Sequence, residues 1–259
     1  MTDKTLTMAM AAVLGLCIGS FLNVCIYRLP RRESLARPAS RCPTCGRPLR
    51  WFDNIPVVSW LLLGGRCRAC GAPVSVRYPV VEIITALLFV LIAAMTPPGP
   101  LLASRWTLTS ALIVLFAIDL EHQILPNVIT LPGILVGFLF SLVGPPGWLA
   151  SLVGILVGAG LLYAVAGLYY LVRREEGLGM GDVKMLAMLG AFLGWRAVLL
   201  TIVLSSFAGA LIGVGLMLTS RGGLKYALPF GTFLAVGAMV AMLQGDEIIG
   251  WYLGFFEGL

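Results

Sequence analysis

The chain has 259 residues, of which 59% are hydrophobic and only 12% are charged. A soluble domain has about 25% charged residues, so this chain has too little charge to cover a surface in water. The composition also excludes a disordered chain, a collagen and a small disulfide-stapled secreted domain. The sequence therefore predicts a polytopic membrane protein, in which each charged residue is informative.

Apolar runs long enough to cross a bilayer as helices, which takes about 20 residues, recur along the whole chain. The eight runs cover residues 6–27, 79–96, 101–120, 127–143, 148–172, 183–199, 200–220 and 227–249. They lack the alternating polarity of β-barrel strands, so we expect an all-α membrane fold of about eight helices. The first run has no strongly positive flank, and we expect a retained helix rather than a cleaved signal peptide.

Positive charge is concentrated between the first two runs. Ten arginines and two acidic residues lie from Arg28 to Arg77, which gives this loop a net charge of +8. Because Lys and Arg favour the cytoplasmic side, we expect a cytoplasmic loop and, with eight spans, two extracytoplasmic termini. Fifteen of the eighteen Lys and Arg residues, Arg221 and Lys225 among them, then lie inside. The charge is attributed to topology and to lipid head groups rather than nucleic acid, because the loop is tethered to the membrane at both ends.

Four cysteines in this loop form two pairs, Cys42 with Cys45 and Cys67 with Cys70, and a glycine follows each pair. A gap of two residues lets both thiolates of a pair face one ion, and the spacing between the pairs is typical of a zinc site. Two disulfides are the alternative, which a reducing cytoplasm disfavours. Four thiolates leave no open coordination position, so we expect a structural zinc ion. The predicted domains are a first helix, a zinc-binding loop and a seven-helix membrane domain, at residues 1–27, 28–78 and 79–259.

Three carboxylates lie in or against apolar runs, where an ionisable group is costly and indicates a function. Asp119 lies near the end of the third run and Asp182 at the start of the sixth, and the charge distribution places both at the cytoplasmic side. If they approach each other, repulsion leaves them sharing one proton, as aspartyl proteolysis requires. The alternatives are an N-cap role for Asp182 and an ion pair of Asp119 with Lys184 or an arginine. The third, Glu82, faces either a polar cavity or the zinc loop, or else forms a structural ion pair.

Three glycines precede the second aspartate, at positions 177, 179 and 181. Backbone without side chains is tolerated at membrane depth where it lines protein or a wet cavity, so Gly179 and Gly181 are predicted to shape a cleft for an extended substrate. Close helix packing is the alternative. Lys184 is predicted either to pair with an aspartate or a substrate acid, or to extend to the membrane surface.

These segments resemble the type IV prepilin peptidases, which belong to the GxGD class of intramembrane aspartyl proteases. The resemblance runs from about residue 15 to 235. It rests on the segments 15–24, 28–30, 51–56 between the cysteine pairs, 77–82, 119–126 and 179–184. The chain departs from the family where the late Pro-Phe-Gly-Pro segment appears as Pro229-Phe230-Gly231-Thr232.

The resemblance implies a bifunctional enzyme of the bacterial cytoplasmic membrane that serves type IV pili or type II secretion. It would remove the basic leader of prepilins and pseudopilins after a glycine at the cytoplasmic face, with Asp119 and Asp182 as the catalytic pair. It would then methylate the new N-terminal amine with S-adenosylmethionine. The chain contains no soluble Rossmann-type unit, so the methyl donor follows from the resemblance alone.

Two other classes of function remain open at this point. In an ion- or proton-coupled transporter the aspartates would bind an ion near the midplane, whereas these lie near one face. In a membrane-anchored binding module the cysteine loop would be the active part, and Asp119 and Asp182 would tolerate substitution by Asn.

Overall fold

The computed structural model describes residues 2–174, 179–219 and 228–257, which form helices and the loops that connect them. A short 3₁₀ helix, Trp51–Asn54, precedes the second of the α-helices. The α-helices are α1 Thr2–Arg28, α2 Val58–Leu62, α3 Arg77–Met95, α4 Pro100–His122, α5 Asn127–Ser141, α6 Trp148–Arg173, α7 Met180–Thr219 and α8 Phe230–Glu257. The predicted all-α membrane fold is confirmed. Arg221 and Lys225, which entered the charge count, lie outside the described residues.

Six helices of the described chain are long and apolar enough to cross a membrane, namely α1, α3, α4, α6, α7 and α8. The sequence predicted about eight spans, and the difference arises at α5 and at α7. Helix α5 has 15 residues, fewer than the roughly 20 that a perpendicular span needs. Helix α7 covers the predicted sixth and seventh spans, and its break lies at Gly194, where φ is 77°, rather than after residue 199. Only glycine adopts this φ at little cost.

The chain divides into two compact units, residues 1–114 and 115–259. In the first, α1 packs closely along α3. A Cβ atom added to Gly15 would lie 2.6 Å from the Cα of Ala86, so glycine is what lets the two backbones approach. Across the same interface Asn23 Nδ2 donates to the carbonyl of Tyr78 at 3.0 Å. These contacts fix the ends of the two helices from which the loop 29–76 departs.

In the second unit, α7 packs against α5, α6 and α8. Its first half contains the fully buried side chains Met185, Leu186, Met188 and Leu189. A hydroxyl group also joins α6 to α7, because Ser151 Oγ donates to the Ala191 carbonyl at 2.8 Å. The start of α7 is thereby held at a fixed place within this unit, and Asp182 lies there.

Candidate active site

Asp119 lies in the last turn of α4 and is 5% exposed. Its Oδ2 accepts two hydrogen bonds from Thr232, one from the backbone N–H at 2.7 Å and one from Oγ at 3.1 Å. Thr232 is in the first turn of α8, where backbone N–H groups have no acceptor within the helix. A carboxylate is favoured at such an end because it satisfies these donors and faces the positive end of the helix dipole. The start of α8 therefore fixes the Asp119 carboxyl group in place.

Asp182 lies in the first turn of α7 and is half-buried. Its backbone N–H donates to the carbonyl of Gly179 at 3.1 Å. It is the third residue of the helix, so the N-cap role considered from the sequence belongs to the residue before Met180 instead. Its carboxyl group is close enough to that of Asp119 for electrostatic repulsion between the two.

Leu125, in the loop after α4, is where the three segments that carry this site converge. A Cβ atom on Gly181 would lie 3.1 Å from Leu125 Cβ, and one on Gly231 would lie 3.0 Å from Leu125 Cδ1. A Cβ atom on Gly231 would also lie 2.9 Å from Asp119 Oδ2. The absence of side chains at these two glycines therefore lets the starts of α7 and α8 approach the end of α4.

The other residues predicted for the site lie at its margin. Lys184 Nζ donates to Asn127 Oδ1 at 3.0 Å in an exposed position, so the ion pair with Asp119 considered from the sequence is not formed. Gly179 is exposed, and a Cβ atom on it would be 3.4 Å from Asp182 Oδ2. Gly179 therefore lies beside the second aspartate, whereas Gly181 lies against Leu125.

Sequence reasoning did not select Thr232 and Gly231 as site residues. Thr232 stands out in the sequence only as the departure from the Pro-Phe-Gly-Pro pattern. The structure gives that departure a consequence, because a proline at this position would have no N–H to donate to Asp119. A threonine or serine near a predicted helix start was the available signal, since these residues bind polar groups there.

The four loop cysteines form a single cluster in the first unit. Their Sγ atoms all lie within 4.8 Å of one another, and those of Cys42 and Cys70 are 3.9 Å apart. A tetrahedral zinc ion with Zn–S bonds of about 2.3 Å separates its sulphur ligands by roughly 3.8 Å. The cluster thus fits a zinc ion, and every cysteine is a free thiol, so the two-disulfide alternative is not realised.

Both pairs are shaped by the same turn. The first cysteine of each pair donates its N–H to the carbonyl five residues later, Cys42 to Arg47 at 3.0 Å and Cys67 to Ala72 at 2.8 Å. The glycine after each pair has a positive φ, 69° in the first and 71° in the second, which favours glycine. The repeated C-x-x-C-G pattern is therefore a repeated backbone structure, as zinc knuckles require.

The pKa values of these thiols differ with their surroundings. A hydrogen bond from the Cys45 backbone lowers the pKa of Cys42 to about 6. The Ala72 backbone acts in the same direction on Cys70, but desolvation and the neighbouring thiols outweigh it and raise the pKa of Cys70 to about 11. Four thiolates side by side repel one another, and metal binding removes that repulsion.

Two protein-family models match the chain, one over the part that contains the cysteine cluster and the other over the part that contains Asp119 and Asp182. The family model of the bacterial peptidase A24 N-terminal domain matches residues 13–96, and that of the type IV leader peptidase family matches residues 106–214. No solved structure matches the chain.

Curated relatives match along nearly the whole chain. The prepilin leader peptidase/N-methyltransferase of Aeromonas hydrophila is 40% identical over 93% of this chain and 92% of its own length. The protein of the same name from Pseudomonas aeruginosa is 39% identical over 94% and 92%. That from Myxococcus xanthus is 45% identical over 82% of this chain and 64% of its own length. The resemblance seen in the sequence is thereby confirmed: the chain belongs to the type IV leader peptidase family.

Proposed function

We propose that the chain is a membrane-embedded aspartyl endopeptidase that removes the basic leader of type IV prepilins and pseudopilins and then methylates the new N-terminus. The single observation that carries the peptidase half is the pair of carboxyl groups from α4 and α7. Asp119 is held by Thr232, and Asp182 lies within electrostatic range of it. The name shared by the relatives supports both halves.

Hydrolysis by this pair needs one ionised and one protonated carboxyl group. The ionised group takes a proton from water as the water oxygen bonds to the scissile carbonyl carbon. The protonated group donates its proton to the leaving amine as the C–N bond breaks. Thr232 donates twice to Asp119 Oδ2 and so keeps this carboxyl group in place for the reaction.

Methylation requires a donor of an electrophilic methyl group, and S-adenosylmethionine supplies one. The amine nitrogen forms a bond to that methyl carbon while the donor's S–C bond breaks, its electron pair stays on sulphur, and the amine releases a proton to water. Cleavage must come first, because it creates the amine.

One experiment tests both halves. Purified enzyme is incubated with a prepilin in the presence and absence of S-adenosylmethionine, and the N-terminal mass of the product is measured. We expect loss of the leader in both reactions and one added methyl group only with the donor. An uncut prepilin, or a product that carries no methyl group with the donor present, contradicts the corresponding half.

Nothing in the family assignment supports the transporter alternative. The binding-module alternative predicts that both aspartates tolerate substitution, which is tested below. The chain is a multi-pass protein of the inner membrane. We propose in addition that the loop 29–76 and the aspartates face the cytoplasm and that both termini are extracytoplasmic, because the charges of the sequence favour this orientation.

The proposed zinc site leads to a prediction about the two activities. Replacing Cys42 by Ser should remove about one zinc ion per chain, loosen the loop and reduce methylation more than cleavage, because four thiolates are needed for tight binding. Zinc is measured by elemental mass spectrometry, and the two activities by product mass. Cys17→Ser, at an exposed position on α1, is the matched control and should keep its zinc. Equal loss of both activities with zinc retained contradicts the prediction.

A second prediction concerns the hydroxyl group of Thr232. Thr232→Val keeps the shape and the backbone N–H but removes the 3.1 Å bond to Asp119. Hydrogen bonds to charged groups contribute about 1.5–3 kcal/mol, so we expect kcat for cleavage to fall by about tenfold to a hundredfold. The control is Thr201→Val, because the buried Thr201 hydroxyl only donates to Ala197 of its own helix. Equal rates for the two variants would remove Thr232 from the site.

A further inference from the structure

Large apolar side chains are exposed on the loop between α1 and α3, on the 3₁₀ helix and on α2. Trp51, Leu61 and Leu62 are 80%, 64% and 81% exposed, and Val58 is exposed as well. The 3₁₀ helix packs against α2, so these side chains belong to one stretch, residues 51–62, which we call the apolar segment. Neither the aspartate pair nor the cysteine cluster uses them. An exposed surface of this kind marks a contact with a protein or a membrane.

Two polar groups of the apolar segment are bonded to later parts of the loop. Asp53 is the one charged residue in its sequence, and Asp53 Oδ1 accepts a hydrogen bond from Arg68 Nε at 2.7 Å. Trp60 Nε1 donates to the carbonyl of Val74 at 3.1 Å. A polar group costs little in an apolar environment when it is paired, so these bonds let the segment leave water.

A hydrogen bond to α3 fixes the level of the apolar segment. The N–H of Val57 donates to Glu82 Oε2 at 2.8 Å, and Glu82 lies about 7.5 Å along the helix from Arg77, the first residue of α3. Because α3 has 19 residues, and a span takes about 20, its first turns must lie within the membrane. Val80 and Ile83 of these turns are exposed, as lipid-facing residues are. The bond therefore holds the start of α2 at the boundary of the bilayer.

Basic residues flank the apolar segment at both ends. Arg47 and Arg50 precede it, Arg66 follows it, and all three are exposed. Anionic lipid head groups attract arginines at the membrane surface, and tryptophan is enriched at the same level. Exposed Trp and Leu beside arginines are typical of segments that lie in the interface. The same arginines would repel the basic leader of a prepilin, so charge favours lipid as the partner.

We propose that residues 51–62 form an interfacial anchor, in which Trp51, Leu61 and Leu62 enter the head-group region of the bilayer. The anchor holds the cysteine cluster close to the membrane, because Cys67 follows α2 after a short turn. The proposal requires that α1 and α3 span a membrane, and it does not depend on either activity in the proposed function. Its failure would leave that function intact.

Cross-linking to lipid tests the anchor in the full-length enzyme. The photoreactive amino acid p-benzoylphenylalanine replaces Leu62 or, as a control, the exposed Thr44 of the first cysteine turn. Each protein is reconstituted in nanodiscs of phosphatidylethanolamine and phosphatidylglycerol and illuminated with prepilin present, and the adducts are identified by mass spectrometry. We expect lipid adducts at position 62 at a yield about tenfold above that at position 44. Equal yields at the two positions would overturn the proposal. So would adducts at position 62 to residues 115–257, to a second copy of the chain or to prepilin.

Limited proteolysis tests whether the leucines hold the loop in place. The double variant Leu61→Glu with Leu62→Glu is compared with Thr44→Glu and with the wild type in the same nanodiscs, and trypsin cleavage within residues 29–76 is followed. We expect cleavage about tenfold faster in the double variant, because loss of the lipid contact raises the population of the open loop. The control should be cleaved at the wild-type rate. Zinc content equal to that of the wild type verifies that the cysteine cluster is folded. Equal cleavage of the double variant and the wild type would contradict the anchor.

Discussion

Replacing either aspartate of the pair by asparagine should abolish leader removal, with kcat reduced about 10³-fold or more. Asn has the shape of Asp, and an asparagine at position 119 can still accept hydrogen bonds from Thr232 through its amide oxygen. The variants Asp119→Asn and Asp182→Asn therefore keep the packing but can no longer supply one ionised and one protonated carboxyl group. Cleavage of a prepilin by purified enzyme is the measurement, with membrane insertion of each variant verified separately.

The matched control is Asp246→Asn, which changes an exposed carboxylate on α8 and should cleave at the wild-type rate. The double variant provides a sharper test. Residues that act as one catalytic unit show non-additive losses, so the double variant should be no slower than the slower single variant. A single variant that processes prepilin at nearly the wild-type rate would refute the assignment and favour the binding-module alternative.

Patterns with few alternative explanations selected most of the candidate site residues. Asp119 and Asp182 were selected because a carboxylate in an apolar run is costly, and the four cysteines because their spacing is restrictive. Thr232 was not selected, because its hydrogen bonds to Asp119 depend on where α8 begins, and the predicted run began at residue 227 rather than at Phe230. Similarly, Glu82 was predicted to face a polar cavity or the zinc loop, or else to form an ion pair. Its partner, the Val57 N–H, could not be identified because it is 25 residues away in an irregular loop.

The fold could likewise be predicted where it follows from composition, but not where it depends on backbone conformation. Apolar length predicted the membrane helices, whose boundaries follow turns rich in proline and glycine, such as the Pro-Pro-Gly-Pro segment at residues 97–100. The break in α7 at Gly194 could not be predicted, because 31 glycines occur in the chain and their sequence context does not reveal which one adopts a positive φ. Backbone conformation inside a continuous apolar run is determined by packing, and packing is visible only in the structure.

Gly231→Ala should nearly stop cleavage while the protein stays folded, because the added methyl group would lie 2.9 Å from Asp119 Oδ2 and 3.0 Å from Leu125 Cδ1. Leu125 can rotate, but the carboxyl group is held by Thr232, so relief of the contact must shift either Asp119 or the start of α8. A displacement of about 1 Å costs about 100-fold in rate, and we expect that loss in kcat/KM with little change in Tm. Gly250→Ala, in the same helix with open space around it, is the control and should cleave normally. Normal cleavage by Gly231→Ala would mean that the Asp119 carboxyl group does not need the position that α8 gives it.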